Sequence, residues 1–317
     1  MSEKKFRAVV LSVVMVLSVV AGGVSLGPGV AAAANDAGNV SVSDLNGTGT
    51  SEEPYQISNA SELQAIEDDL DAHYELISDV DASGTGGWDS GNGFAPIGDN
   101  SARFNGTFNG NGSSIKDVAI NRAGEEYVGV FGYTGSDAII TDVNLEAANI
   151  TGNEYVGGLV GVNGGTVTGT HADGNITGDS NVGGLIGENS AVVNDVLATG
   201  NVTGESYVGG VVGGNFDRIT NASANSTVTG TQRVGGLVGF NRVLVTKSSA
   251  TGVVIGEDNV GGLVGYVADG KVTNGTTSVT VAGDTNVGGT IGLVDNPGAT
   301  TLENHIATGA VTGHTSV

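Results

Sequence analysis

The chain has 317 residues, no cysteine, and 34 acidic against 11 basic residues, for a formal net charge of −23. That balance repels nucleic acid and anionic lipid, and the lack of cysteine excludes thiol nucleophiles, thiolate metal sites and disulfide staples. Glycine contributes 56 residues, yet it recurs at fixed places within valine- and isoleucine-rich runs, which signals repeated strands and not disorder.

Residues 1–34 read as a secretory signal peptide. Lys4, Lys5 and Arg7 form the charged start, Ala8 to Val20 the apolar stretch, and Ala32-Ala33-Ala34 the cleavage site before Asn35. The apolar stretch is shorter than the roughly 20 residues of a spanning helix, so a retained anchor is the lesser alternative. The mature chain then keeps 33 acids against 8 bases, a net charge of −25, with no membrane span. Dispersed acidity with only three mature lysines fits a halophilic protein, secreted or held at the cell surface.

Residues 35–54 are a polar stretch expected to be flexible, and residues 55–126 an N-terminal cap with irregular first coils. Asn59 and Glu62 sit where they can cap a short helix whose Leu63, Ile66 and Leu70 share one face. Such a face can cover the open end of a solenoid. Strand-like runs follow at Tyr74 to Val80, Phe104 to Phe108 and Ser114 to Ile120. The glycine-rich stretch Ser83 to Phe94, around Trp88, reads as a capping loop. Asp79, Asp81 and Asp89 flank it without any calcium-binding spacing.

Residues 127–317 carry seven copies of a valine-glycine motif, beginning at Val128, Val156, Val182, Val208, Val234, Val260 and Val287. Their spacings are 28, 26, 26, 26, 26 and 27 residues, the signature of one supersecondary unit stacked many times. Three short apolar runs per unit predict three strands per coil. The motif valine and the residue four on (Val160, Ile186, Val212, Val238, Val264, Ile291) are expected to point inward. Glycines after the valine are expected to allow close approach, and those after NIT or NVT (Gly152, Gly178, Gly204) to supply a positive-φ corner. Asn163, Asn189, Asn215 and Asn241 recur seven residues after their valines and predict a stacked amide ladder, which Val267 and Val294 end. Val317 aligns with the first valine of an eighth motif, which suggests a truncated chain or a covering partner.

Gly158-Leu159-Val160-Gly161 and its equivalents at Gly184, Gly236 and Gly262 resemble the GLUG-motif repeat proteins. The resemblance covers about Tyr55 to Val317. It implies an all-β fold, a right-handed parallel β-helix with about one 26-residue repeat per coil, on secreted or surface proteins that are often adhesins. It implies no activity. Proteases that carry such repeats hold their chemistry in a separate zinc domain, whereas this chain has no HExxH and its four histidines are isolated.

Glycoside hydrolysis needs paired carboxylates across a cleft, and the acids here are scattered. Arg218 with Arg242, and Lys247 with Lys271, could meet on adjacent coils as relief for acidic neighbours. Tyr127, Tyr155 and Tyr207 precede motif valines and should point outward. Asn181, Arg233, Asn259 and Asn286 interrupt that column, so no binding strip is expected. Eleven sequons mark candidate N-glycosylation sites at Asn39, Asn46, Asn59, Asn105, Asn111, Asn149, Asn175, Asn201, Asn221, Asn225 and Asn274. No catalytic residue, metal ligand or cofactor is expected. The reading is a non-enzymatic extracellular repeat protein with a structural or adhesive role, whose partners would be surface glycans or other surface proteins. The alternative is a polysaccharide-binding or polysaccharide-processing β-helix.

Overall fold

The computed structural model describes residues 40–298 and 300–314. The expected signal peptide, the sequon at Asn39 and the final valine Val317 lie outside the described residues. The repeats wind into an all-β solenoid in which one repeat makes one coil. Val156 pairs with Val182, and the series continues through Val208, Val234, Val260 and Val287, always in parallel register. Parallel pairing places equivalent residues about 4.8 Å apart along the axis.

Each coil contributes to three sheets. In one representative coil Glu154–Gly157 lies on the first face, Val160–Asn163 on the second, and Thr166–Thr168 with His171–Thr177 on the third. Two later coils fuse the third-face segments into the long strands Val193–Thr203 and Arg218–Thr229. The core is built from the motif itself: Val156, Leu159 and Val160 are fully buried, as are Val182, Leu185 and Ile186 one coil on. On the third face Ile176 is buried between exposed Asn175 and Thr177, the alternation of a strand with one wet side.

The N-terminal segment belongs to the same stack. Tyr55–Ile57 pairs with His73–Leu76, which pairs with Thr107–Asn109, which pairs with Ile139–Thr141 of the first repeat. Its interior is filled by larger side chains, with Phe104 and Phe108 at 4.9 and 5.3 Å from Phe131. The helix at Ala60–Gln64 starts as the sequence suggests: Asn59 Oδ1 accepts from the Glu62 amide at 3.0 Å. Glu62 reaches back to the Ser58 amide at 2.7 Å, one residue earlier than a regular capping box. Leu63 and Ile66 close the core beneath it. Residues 40–54, expected to be loosely packed, fold onto this cap. Leu45 is buried, Asn46 bridges to Gln56, and the Val42 amide donates to Asp68 at 3.0 Å.

One expectation is corrected by the backbone. Glycines 152, 178 and 204 do not adopt positive φ. Each coil instead turns through the left-handed region at the residue just before its motif valine. The φ values there are 61° at Tyr127, 56° at Tyr155, 51° at Asn181, 55° at Tyr207 and 55° at Arg233. The glycines after NIT and NVT are needed for space: a Cβ on Gly178 would lie 2.7 Å from Val156 Cγ2 and 3.1 Å from Val182 Cγ2. Glycines after the motif valine also serve close approach, since a Cβ on Gly157 would overlap the Val160 carbonyl oxygen.

Candidate functional site: an amide ladder and an aromatic face

Inside the second-face corner, the four asparagines form a hydrogen-bonded column. Asn163 Nδ2 donates to Asn189 Oδ1 at 2.8 Å, Asn189 to Asn215 at 2.9 Å, and Asn215 to Asn241 at 2.8 Å. None of the four has exposed surface. Each of the first three also donates to a carbonyl two residues on: Gly165, Ala191 and Asp217. The column therefore satisfies corner backbone that the core would otherwise strand. At the bottom Thr134 Oγ1 donates to Asn163 at 3.0 Å, and at the top Asn241 stacks on Val267.

The residues weighed for chemistry do not converge. Asp79 is held by Lys116 at 2.6 Å, which keeps its carboxyl below the ordinary range, and Asp89 is bound to Asn92 and Arg122. Among the described residues no three histidine, aspartate or glutamate side chains gather as a metal site. Arg218 pairs with Leu244, not Arg242, and Leu244 pairs in turn with Lys271. Lys247 sits in register between Asn221 and Asn274, away from Lys271. The members of each pair lie on adjacent coils, as expected, but out of register, because they are 24 residues apart where the repeat spacing is 26 or 27. A cleft of about 260 Å³ opens beside the Gly86–Gly93 loop, but its wall contains Ala119, Asn121, Asn149 and Thr151 and no charged side chain.

The sequons occupy different settings. Asn149, Asn175 and Asn201 stack in register on the third face, with Asn201 Nδ2 donating to Asn175 Oδ1 at 2.8 Å. Asn59 is committed to its helix cap. Asn105 donates to the Arg103 carbonyl, and Asn111 to the Leu76 carbonyl. Asn221 contacts Asp195 on the coil before it, and Asn274 accepts from Asn304. Asn46 and Asn225 are exposed.

The tyrosine column was expected to be too broken to matter, and the structure changes that reading. A second outward column, on the second face, completes it. Its members are Tyr133, Val162, Glu188, Gly214, Phe240, Tyr266 and Leu293, paired in parallel register. Asn181 Oδ1 approaches Gly214 and Tyr207 meets Phe240, each one coil further on, whereas Tyr127 meets Tyr133 of its own coil at 5.5 Å. Tyr127 stacks on Tyr155 with centroids 5.2 Å apart and rings 7° from parallel. Tyr207 meets Phe240 edge-on at 5.5 Å, and Phe240 stacks on Tyr266 at 5.7 Å. The Arg233 guanidinium lies between two rings, 4.7 Å from Tyr207 and 4.9 Å from Tyr266. Glu188 is half-buried beside Tyr155, and burial raises its carboxyl pKa above the ordinary value. Sequence inspection of one column at a time misses this face, because its two halves lie about 30 residues apart.

Comparison with known proteins agrees with this architecture. The family model of the GLUG motif matches residues 204–229. The chain is 38% identical to halomucin of Haloquadratum walsbyi over 134 residues, which is 40% of this chain and 2% of that protein. It is 36% identical over 131 residues to a protein of Evansella cellulosilytica provisionally named a Gly-rich membrane protein, covering 38% of this chain and 14% of the relative. The chain thus spans only a small part of the relatives it matches. A crystal structure from Bacteroides ovatus, of a protein provisionally named an immunoglobulin A1 protease, superposes with a TM-score of 0.55 at 17% identity. That match covers 84% of this chain and 85% of the other, and it shows a shared fold. No helix among the described residues is long and apolar enough to cross a membrane.

Proposed function

We propose that the protein is a non-enzymatic repeat rod, displayed outside the cell in a structural or adhesive role. The observation that carries this reading is the unbroken register from Val156 to Val287, which extends one surface coil after coil. The names of its relatives, halomucin and a membrane protein, point the same way. Surface labelling of intact source cells with an antibody to the rod tests the location, and signal confined to the cell interior would refute it. Incubation with a polysaccharide panel tests the role: retention without product is expected, and release of shortened oligosaccharides would instead establish a processing enzyme.

The rod also fits a high-salt setting. Asp179 and Glu205 stack on consecutive coils, as do Glu257 and Asp284, with backbone hydrogen bonds of 2.8 and 2.9 Å joining them. Like charges about 4.8 Å apart repel within the roughly 10 Å screening length of 0.1 M salt but beyond the roughly 3 Å length of 1 M salt. Thermal stability should therefore rise steadily with sodium chloride up to molar concentration. A melting temperature indifferent to salt would remove this part of the reading.

A further inference from the structure

The aromatic face has one gap. At the coil of Val182 the position before the motif valine is Asn181, and the neighbouring outward position on the next coil is Gly214. Both columns therefore carry small side chains at the same rung, which the exposed Phe216 ring flanks, 3.4 Å from where a Cβ on Gly214 would stand and 5.5 Å from Phe240. Tyr155 stands one coil before it, with its outer edge beside Glu188, and Tyr207 stands one coil after it, against Phe240. Tyr155 already uses one ring face on Tyr127, and Tyr207 uses one on Arg233, whose guanidinium belongs to the following coil. The opposite faces are turned toward the gap, two strand spacings or about 9.6 Å apart.

The protein contains its own template for what fills such a gap. Two coils further along, Arg233 occupies the position equivalent to Asn181, and its guanidinium lies within 5 Å of two rings, at 4.7 and 4.9 Å. It donates from Nη1 to the Tyr207 hydroxyl, while its buried Nε has no hydrogen-bond partner, so the ring faces supply much of its surroundings. A planar cation midway between Tyr155 and Tyr207 would meet each at about 4.8 Å, inside the roughly 6 Å reach of a cation–π contact. Like the Arg233 site, where Asp295 bonds to Tyr266, the gap has a carboxylate nearby: the Glu188 side chain has no hydrogen bond or ion pair among the described residues. Left-handed φ suits asparagine, yet Tyr155 and Tyr207 adopt it at 56° and 55°, a conformation that costs tyrosine about 1–2 kcal/mol.

We propose that the notch bounded by Tyr155, Asn181, Tyr207, Glu188 and Gly214 receives an arginine side chain from a basic segment of a partner protein. The guanidinium enters between the two tyrosines, donates to the Glu188 carboxylate and the Asn181 Oδ1, and completes the alternation of rings and cations along the face. Charge complementarity selects this occupant: the chain as a whole carries −23, and the notch adds an uncompensated acid. The site would serve the adhesive role above, but it is read by a separate assay, so peptide binding and surface display can fail independently.

The test is titration of the full chain, at a salt concentration where it is folded, with a short acetylated Arg-Gly-Arg amide peptide and with its citrulline analogue. Calorimetry and the ring-proton signals of Tyr155 and Tyr207 are read together. The arginine peptide should bind at least tenfold more tightly than the citrulline peptide and shift both rings. Asn181→Tyr restores the missing rung with a residue that Tyr127, Tyr155 and Tyr207 show is accepted there, and should weaken binding at least tenfold. Glu188→Gln keeps the shape and removes the charge; it should weaken binding about fivefold while the fold is retained by circular dichroism. Should Asn181→Tyr fail to fold, Glu188→Gln decides alone. Equal binding of the citrulline peptide, or unchanged affinity in Glu188→Gln, overturns the proposal. Ring shifts with a neutral glucan oligosaccharide and none with the arginine peptide would overturn it in favour of a sugar.

Discussion

Replacing Asn189 by alanine should be among the most damaging single changes in the rod. Asn189 sits mid-column with no exposed surface, so water cannot replace what its amide provides. It accepts from Asn163 at 2.8 Å and from the Ala191 amide at 3.3 Å, and it donates to Asn215 at 2.9 Å and to the Ala191 carbonyl at 2.8 Å. Alanine removes all four. Asn163 retains Gly165 as an acceptor, but the Asn215 carbonyl oxygen loses the amide that donates to it. Two inter-coil bonds at about 1 kcal/mol each, plus about 1–3 kcal/mol for the stranded buried oxygen, give about 3–5 kcal/mol. The control is Asn241→Val at the column's end, where the neighbour is already Val267, the bond to the Lys271 carbonyl is a long 3.4 Å, and Asn215 keeps Asp217. That change should cost about 1–2 kcal/mol. Stacked repeats unfold in pieces, so a single denaturation midpoint is a poor measure. Native-state amide exchange across Ile186–Asn189 and Val193–Thr203 reads the loss locally. Equal costs for the two substitutions, within about 0.5 kcal/mol, would refute the claim that the amides act as a cooperative column.

The remaining expectations are simpler. Gly178→Ala places a methyl against Val156 and Val182 and should cost about 1–3 kcal/mol, partly recovered by adding Val156→Ala; a fully stable Gly178→Ala would show that the glycine is not there for space. Burial raises the pKa of Glu188, so the stability it contributes is complete below the unfolded pKa and is lost as pH rises through the folded one. Glu188→Gln should therefore raise the melting temperature at neutral pH, with the gain fading toward about pH 4, near the ordinary glutamate value; a gain independent of pH would refute this. Asn149, Asn175 and Asn201 share one column at about 4.8 Å spacing, too close for bulky glycans on all three, so glycopeptide mass spectrometry should find partial occupancy. Full occupancy of all three at once would contradict that steric argument.

The period exposes the register of the rod in the sequence, because a step of 26 to 28 residues leaves few ways to stack the motif valines. The asparagine column is visible for the same reason: identical residues at identical positions must meet. The corner was misplaced for a physical reason. Glycine is the usual mark of positive φ, but here the left-handed position is held by tyrosine, asparagine and arginine, which share no sequence signature. The glycines that drew attention were instead making room for valine methyls, a need that only the packed core reveals.

The aromatic face was hidden for a different reason, and that reason bears on function. Its two columns meet across coils as well as within one: Tyr155 feels the charge of Glu188 and Tyr207 meets Phe240, each on the next coil, while Tyr127 meets Tyr133 of its own repeat. Inside the rod, a change at one motif valine disturbs the coils above and below, which holds the core uniform. Outside, each rung pair can change without breaking the register, as tyrosine, asparagine and arginine alternating at one backbone position demonstrate. Residues that fit the left-handed corner easily, such as Asn259 and Asn286, are the inexpensive filling, whereas Tyr155, Tyr207 and Arg233 accept strain there. Ala147 and Lys247 hold the same conformation at other corners, at 53° and 52°, so strain alone does not mark a binding surface. In the adhesive role proposed above, the surface between Tyr127 and Tyr266 would carry recognition, with specificity in the rungs that depart from the repeat.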